Sequence, residues 1–354
     1  MSKKFRAGVG LVDVSLAACF LSLSIRLAAA APLAYVANAE DDNVSIIDTV
    51  TRSFAGLPIG VGRHPDDVAI NPAGTRVYVA NEYDDSVSVI DTSTNAVIAT
   101  ISGMTDPGSL VISADGSRLF VAAEYFVYEI DTSTNLVVGD PIAIVGPDLG
   151  GCPRTSGQIS VNAAGTRVYV PAVTCSGDVD ADPGYLSVID VATHASVANI
   201  EVGRDPTSAV VGPAGDRVYV TSWDDGLVTV IDAATNTVIA AIPLGVDHFP
   251  YDSVLDPTGR WLYVSNNGAE SLSVVDTSTQ TVAVSGILLG AEALGVAISS
   301  DGQSVYATLD NGTVATIDAA TRTVVGQPVA VGNLPISIAV ARTDALFADG
   351  FESR

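Results

Sequence analysis

Seven copies of one pattern, roughly 42 residues apart, constrain this chain more tightly than any other feature of it. Each copy has an aromatic strand running into small or polar residues: Tyr35 to Asn38, Tyr78 to Asn81, Phe120 to Ala123, Tyr169 to Ala172, Tyr219 to Ser222, Tyr263 to Asn266 and Tyr306 to Leu309. Each also has a hydrophobic strand ending in aspartate, at Asp48, Asp91, Asp131, Asp190, Asp232, Asp276 and Asp318. Successive aspartates lie 43, 40, 59, 42, 44 and 42 residues apart, so one copy is stretched. A period of this size, dense in short strands, belongs to units that cannot bury a hydrophobic face alone and must stack on their neighbours.

One copy shows how the unit folds. Asp67 to Ile70 alternates towards the turn Asn71-Pro72-Ala73-Gly74, and Arg76 to Asn81 forms a second alternating run. Ser86 to Ile90 is the third, ended by Asp91 to Asn95, and Ala96 to Ile101 is the fourth. Period-two alternation, β-branched residues and punctuation by Gly, Pro, Asn and Asp predict an antiparallel four-stranded meander. First strands recur near Val68, Leu110, Ile159, Ala209, Val254, Val296 and Ile338, whereas the repeats open on a second strand at Tyr35. The expected fold is therefore all-β, a seven-bladed β-propeller of four-stranded antiparallel blades. Its C-terminal strand is expected to pair with the N-terminal three strands, which leaves no open edge between the ends. The propeller is assigned to residues 31–341 and a C-terminal tail to 342–354.

The tetrads Tyr-Val-Ala-Asn, Tyr-Val-Thr-Ser and Tyr-Val-Ser-Asn, with Ser-Val-Ser-Val-Ile-Asp-Thr and Asn-Thr-Val-Ile-Ala, resemble the YVTN family of β-propeller repeat proteins over nearly all of residues 33 to 341. Phe120, Pro171 and the Tyr-Ala-Thr-Leu of the last copy depart from the tetrad. The resemblance implies a seven-bladed propeller, often exported or surface-associated, and implies no reaction. Propellers of similar shape include a lactonase group and the domain that holds haem d1 in nitrite reductases, so shape does not select an activity.

Residues 1–30 read as a signal peptide. Lys3, Lys4 and Arg6 precede an apolar run from Ala7, and Ala28 to Ala31 supply small residues for cleavage. Asp13 and Arg26 interrupt the run, which falls short of the ~20 apolar residues of a membrane span. No transmembrane domain is expected, and the destination is the periplasm, the cell surface or the medium. Without the leader the chain carries 12 basic against 39 acidic residues and no lysine. Such a surface repels phosphate backbones, so nucleic acid is excluded as a partner, and cationic ligands or metal ions suit the field.

The seven strand-ending aspartates are expected in Asx turns and the tetrad tyrosines between blades, because a residue used identically around a ring is structural. Functional residues should break the repeat. Loops joining second to third strands, and fourth strands to the next blade, emerge on one face, and there the breaks cluster. The predicted ligand-binding face comprises His64, Asp66, Glu82, Tyr83, Asp84, Asp85, Trp223, Asp224, Asp225, His248 and Tyr251. His64 and His248 stand four blade-steps apart and could meet across the channel mouth. The stretched repeat holds Cys152 and Cys175, expected as one disulfide in an oxidising compartment. It also holds Asp178, Asp180 and Asp182, alternating carboxylates that suit calcium, although Pro183 and Ile189 break the EF-hand rule. The expected function is a non-enzymatic exported scaffold whose acidic loop face binds an envelope protein, a glycan or a small ligand. The alternatives are a metal-assisted, lactonase-like hydrolase at the channel mouth, or a cofactor-carrying propeller.

Overall fold

The computed structural model describes residues 32–144, 154–174 and 184–342. Among these residues the chain forms seven antiparallel sheets, and the only helical segments are two short 3-10 turns, Ala39–Asp41 and Glu82–Asp84. Among the described residues, no helix is long and apolar enough to cross a membrane. The seven-bladed, all-β propeller predicted from the repeats is the architecture observed.

Blade 2 is the regular case. Its strands Pro65–Ile70, Arg76–Asn81, Ser86–Asp91 and Ala96–Ser102 pair in sequence order. In blade 1 the innermost place is taken by Pro335–Val340, which pairs antiparallel with Leu33–Asn38 in the register Ala34 to Val340 and Val36 to Ile338. The last described strand thus lies beside the first described one, as in a ring held shut by backbone hydrogen bonds rather than by a covalent link.

Two departures from the predicted four-strand unit have visible causes. The outer strand is split in blade 1 (Ser53–Phe54, Ile59–Gly60), blade 3 (Leu136–Val137, Ile142–Ala143) and blade 7 (Thr323–Val324, Val329–Ala330). Each split contains Gly-x-Pro, at Gly56 to Pro58, Gly139 to Pro141 and Gly326 to Pro328. Proline removes a ladder donor, and Gly139 and Gly326 turn the chain at φ 70° and 75°. In blade 4 the inner strand is also broken, into Arg154–Thr155 and Ser160–Val161. Between them Gln158 leaves the antiparallel ladder and bridges Ser208 of the next blade in parallel. Gly157 permits that approach, since a Cβ there would lie 2.1 Å from the Thr207 carbonyl oxygen.

The core lies between blades. Tyr35, Ala37, Val44 and Ile46 of blade 1 pack on Val68, Val77, Val79 and Ile90 of blade 2. Tyr78, Val87 and Val89 of blade 2 pack in turn on Leu110, Leu119, Val121 and Ile130 of blade 3. The pattern continues round to blade 7, whose Tyr306 and Val314 meet Ala34, Val36, Ile47 and Ile338 of blade 1. In blades 1 and 2 the tetrad asparagine ties the second strand to the loop that enters the same blade. Asn81 donates to the Ser88 hydroxyl at 3.0 Å and accepts from the Gly62 N–H at 3.1 Å. Asn38 does the same with Ser45 and Gly332. The strand-ending aspartates form the predicted Asx turns, Asp48 accepting the N–H groups of Val50 and Thr51 at 2.9 and 2.8 Å, and Asp318 that of Thr321 at 2.7 Å.

Candidate functional site

Each inner strand opens with two positions beside the channel. The deeper is Asp67, Ser109, Gln158, Ser208, Asp252, Gly295 and Ser337 in blades 2 to 7 and 1, and the shallower includes Asp66, Thr207 and Tyr251. Two carboxylates in this inner ring join blades. Asp67 accepts the Val68 and Leu110 N–H groups, both at 2.8 Å, and the hydroxyls of Ser337 at 2.7 Å and Ser109 at 3.3 Å. It therefore connects blades 1, 2 and 3. Asp252 accepts from the Ser253 N–H at 2.7 Å, the Val296 N–H at 2.9 Å and the Ser208 hydroxyl at 3.2 Å, connecting blades 5, 6 and 7. Burial pushes both carboxyls up against the pull of these donors, Asp67 to about 6 and Asp252 to about 7.

Above this ring, on the face where the predicted loops emerge, lies a cup of about 220 Å³. Its lining includes the carboxyl groups of Asp66, Glu82, Asp106 and Glu124, with Arg154 the one cation among the described residues and Ser109, Gln158, Thr207 and Tyr251 as further polar groups. Among the described residues, Arg154 makes no ion pair, and the side chains of Asp106 and Glu124 take no hydrogen bond. Burial, then Glu82 and Asp67, raises Asp66 to about 8. Burial likewise raises the Tyr251 hydroxyl, with Asp66 the next cause, and Tyr251 of blade 6 lines the same cup as Asp66 and Glu82 of blade 2.

One edge of the cup brings together His64, Asp66 and Glu82. His64 Nδ1 stands 2.9 Å from Glu82 Oε2 and 4.0 Å from Asp66 Oδ1. The imidazole stacks on Tyr83 at 4.3 Å between ring centroids, and the His64 N–H donates to Asp42 at 3.0 Å. The three side chains offer ligand atoms all within 4.8 Å of one another.

The other predicted site residues divide. Asp84 and Asp85 are loop staples: Asp84 accepts the Arg63 N–H at 2.8 Å and its Nε–H at 2.6 Å, and Asp85 accepts the Asp106 N–H at 3.1 Å. Asp225 holds Arg204 in the same way at 2.8 and 2.9 Å. Trp223, Asp224 and Asp225 line a separate shallow cleft with Phe249, where Trp223 stacks on Phe249 at 5.4 Å and meets Tyr251 edge-on at 6.1 Å. His248 lies over Gly245 and takes no part in the His64 cluster, and the blade 6 side chain that lines the cup with Asp66 and Glu82 is Tyr251. Cys152, Cys175, Asp178, Asp180 and Asp182 lie outside the described residues, as do residues 1–31 and 343–354.

The face predicted from the sequence does not include Asp106, Glu124, Arg154, Asp67, Ser109, Gln158, Thr207 or Asp252. Aligning the first strands would have exposed the inner pair, because Asp67 and Asp252 stand where other blades carry serine, glutamine or glycine.

The YNCE-like β-propeller family model matches residues 7–169. No curated protein matches the sequence. Among solved structures, hydrazine synthase of Kuenenia stuttgartiensis aligns with a TM-score of 0.68 at 22% identity, over 81% of this chain and 92% of that one. A candidate 6-phosphogluconolactonase of Bacteroides fragilis aligns with a TM-score of 0.69 at 17% identity, over 88% and 98%. The dihydro-haem d1 dehydrogenase NirN aligns with a TM-score of 0.58 at 18% identity, over 86% and 74%. At these identities the likeness is one of fold, and three different chemistries share it.

Proposed function

We propose, for a chain that is a seven-bladed β-propeller of YVTN-type repeats, an exported binding function: the capture, without chemical conversion, of a small amine-bearing ligand in the cup at the channel mouth. The observation that carries this reading is the set of four acidic side chains, Asp66, Glu82, Asp106 and Glu124, around a concave volume of about 220 Å³ in which, among the described residues, Arg154 is the one basic group. Tyr251 adds an aromatic wall, the surface on which an ammonium group is favoured. The blades make the cup rigid, and its carboxylates come from loops and strand ends of two neighbouring blades, so little ordering is needed on binding. The acidic chain as a whole would draw cations towards it.

The reading is tested by ligand-observed NMR on mixtures of small amines, neutral sugars and carboxylates matched in size. Signals from the amines alone, lost on addition of excess 1,4-diaminobutane, support it. Preferential binding of carboxylates would overturn it.

A second reading, metal-assisted hydrolysis of a lactone or other small cyclic ester, draws on the convergence of His64, Asp66 and Glu82 at the edge of the cup. It requires turnover, and a lactone screen with added divalent ion that yields none removes it.

A further inference from the structure

We infer that His64, Asp66 and Glu82 form a binding site for a divalent transition-metal ion of the zinc or manganese class, with its open coordination positions facing the cup.

The donor set comes first. One imidazole nitrogen and two carboxylates from a strand start and the loop beside it converge, with Nδ1 of His64 2.9 Å from Glu82 and 4.0 Å from Asp66. Ligands about 2.0–2.2 Å from an ion are separated from one another by some 3–4 Å, so the 4.8 Å envelope of this cluster closes on an ion by side-chain adjustment alone.

A second observation points the same way. Nδ1 of His64 is shut off from solvent and has no hydrogen-bond partner of acceptable geometry, because the short contact to Glu82 lies off the bonding axis. Asp66 likewise takes no hydrogen bond among the described residues. An enclosed imidazole nitrogen without a partner, facing a half-buried carboxylate that takes no hydrogen bond, leaves a cation as the group that satisfies both. The imidazole is held for this by its stack on Tyr83 and by the backbone bond to Asp42.

The chemistry of the donors selects the ion. Calcium takes six to eight oxygen ligands and disfavours imidazole, whereas one nitrogen and two oxygens suit zinc, manganese and their neighbours. Three protein ligands leave at least one position for water or a ligand group, as in open metal sites. Asp66 and Glu82 also line the cup, so that position opens into it. The inference extends the reading of the cup without depending on it, since Asp106 and Glu124 stay available to an amine in metal-free protein.

The test is a titration of the purified, chelator-stripped chain with cobalt(II), followed by its visible d–d bands, and with manganese, zinc and calcium by calorimetry. One equivalent should bind, with calcium weaker than the other three. Glu82→Gln should weaken binding by on the order of a hundredfold, and His64→Asn should do so too and change the d–d spectrum. Asparagine tolerates the positive φ of 52° at this position, and an unchanged unfolding midpoint without metal establishes that each variant is folded. Replacing Asp178, Asp180 and Asp182 together by asparagine should leave the affinity unaltered. Absence of binding at millimolar ion, a preference for calcium, or a His64→Asn variant with native affinity and spectrum would each overturn the inference. Amine binding measured in chelator is blind to this result, so failure here and failure of the capture reading are separable.

Discussion

Stability should fall as pH rises from 5 to 8, and Asp252 should contribute a measurable share of that fall. Its carboxyl has an ordinary value of 3.8 and is held up to about 7 in the folded protein, chiefly by burial. Between those values the folded state keeps a proton that the unfolded chain releases. A raised acid of this kind favours folding at low pH, and its contribution is lost as pH climbs through the folded value. Each pH unit in that window is worth ~1.4 kcal/mol for one proton, so the interval from pH 5 to 8 removes about 3 kcal/mol. Asp252→Asn abolishes this term while nearly preserving shape. Urea unfolding of both proteins in chelator at pH 5, 6, 7 and 8, followed by tryptophan fluorescence, gives the two profiles. Asp66 and Asp67 titrate in both, so the difference between the profiles isolates position 252. The native profile should drop about 2–3 kcal/mol more steeply. Parallel profiles would refute the reasoning, because they would mean that the three donors to Asp252 keep it ionised and outweigh its burial.

Other substitutions probe the frame and the staples. Tyr78→Ala empties a fully buried place between blades 2 and 3 and should cost about 3–5 kcal/mol in chemical unfolding. Gly62→Ala sets a Cβ 2.7 Å from Cγ of Asn81, pushing the amide off Ser88 and the loop, and should cost about 1–3 kcal/mol by the same measurement. Asp84→Ala removes only an exposed tie to Arg63, so the unfolding midpoint and the affinity for a diamine should both stay close to native values.

The blades were legible in the sequence because each obeys the same local rules. Alternation placed Val77 and Val79 inwards, Asn71 to Gly74 turned the chain, and Asp91 closed the third strand, and all of this recurs seven times. The exceptions were also written there, as the Gly-x-Pro breaks of three outer strands, but four-strand regularity hid them. The site was less legible. His64, Asp66, Glu82 and Tyr251 stood out as departures from the repeat. Nothing local could show that Asp84, Asp85 and Asp225 are occupied by neighbouring loop N–H groups while Glu82 and Glu124 are not. That distinction depends on which residue the adjacent blade presents. The same holds across the channel, where blade 6 contributes Tyr251, and not His248, to the lining that Asp66 shares.

The most direct test of the cup's function is a calorimetric titration of the chain with 1,4-diaminobutane in chelator, set beside the Glu82→Gln/Glu124→Gln double variant. The account predicts saturable binding at one site that weakens with added salt, and a loss of about tenfold or more in affinity when the two carboxylates are neutralised. Equal affinity in the native and double-variant proteins, or no binding to either, would contradict it.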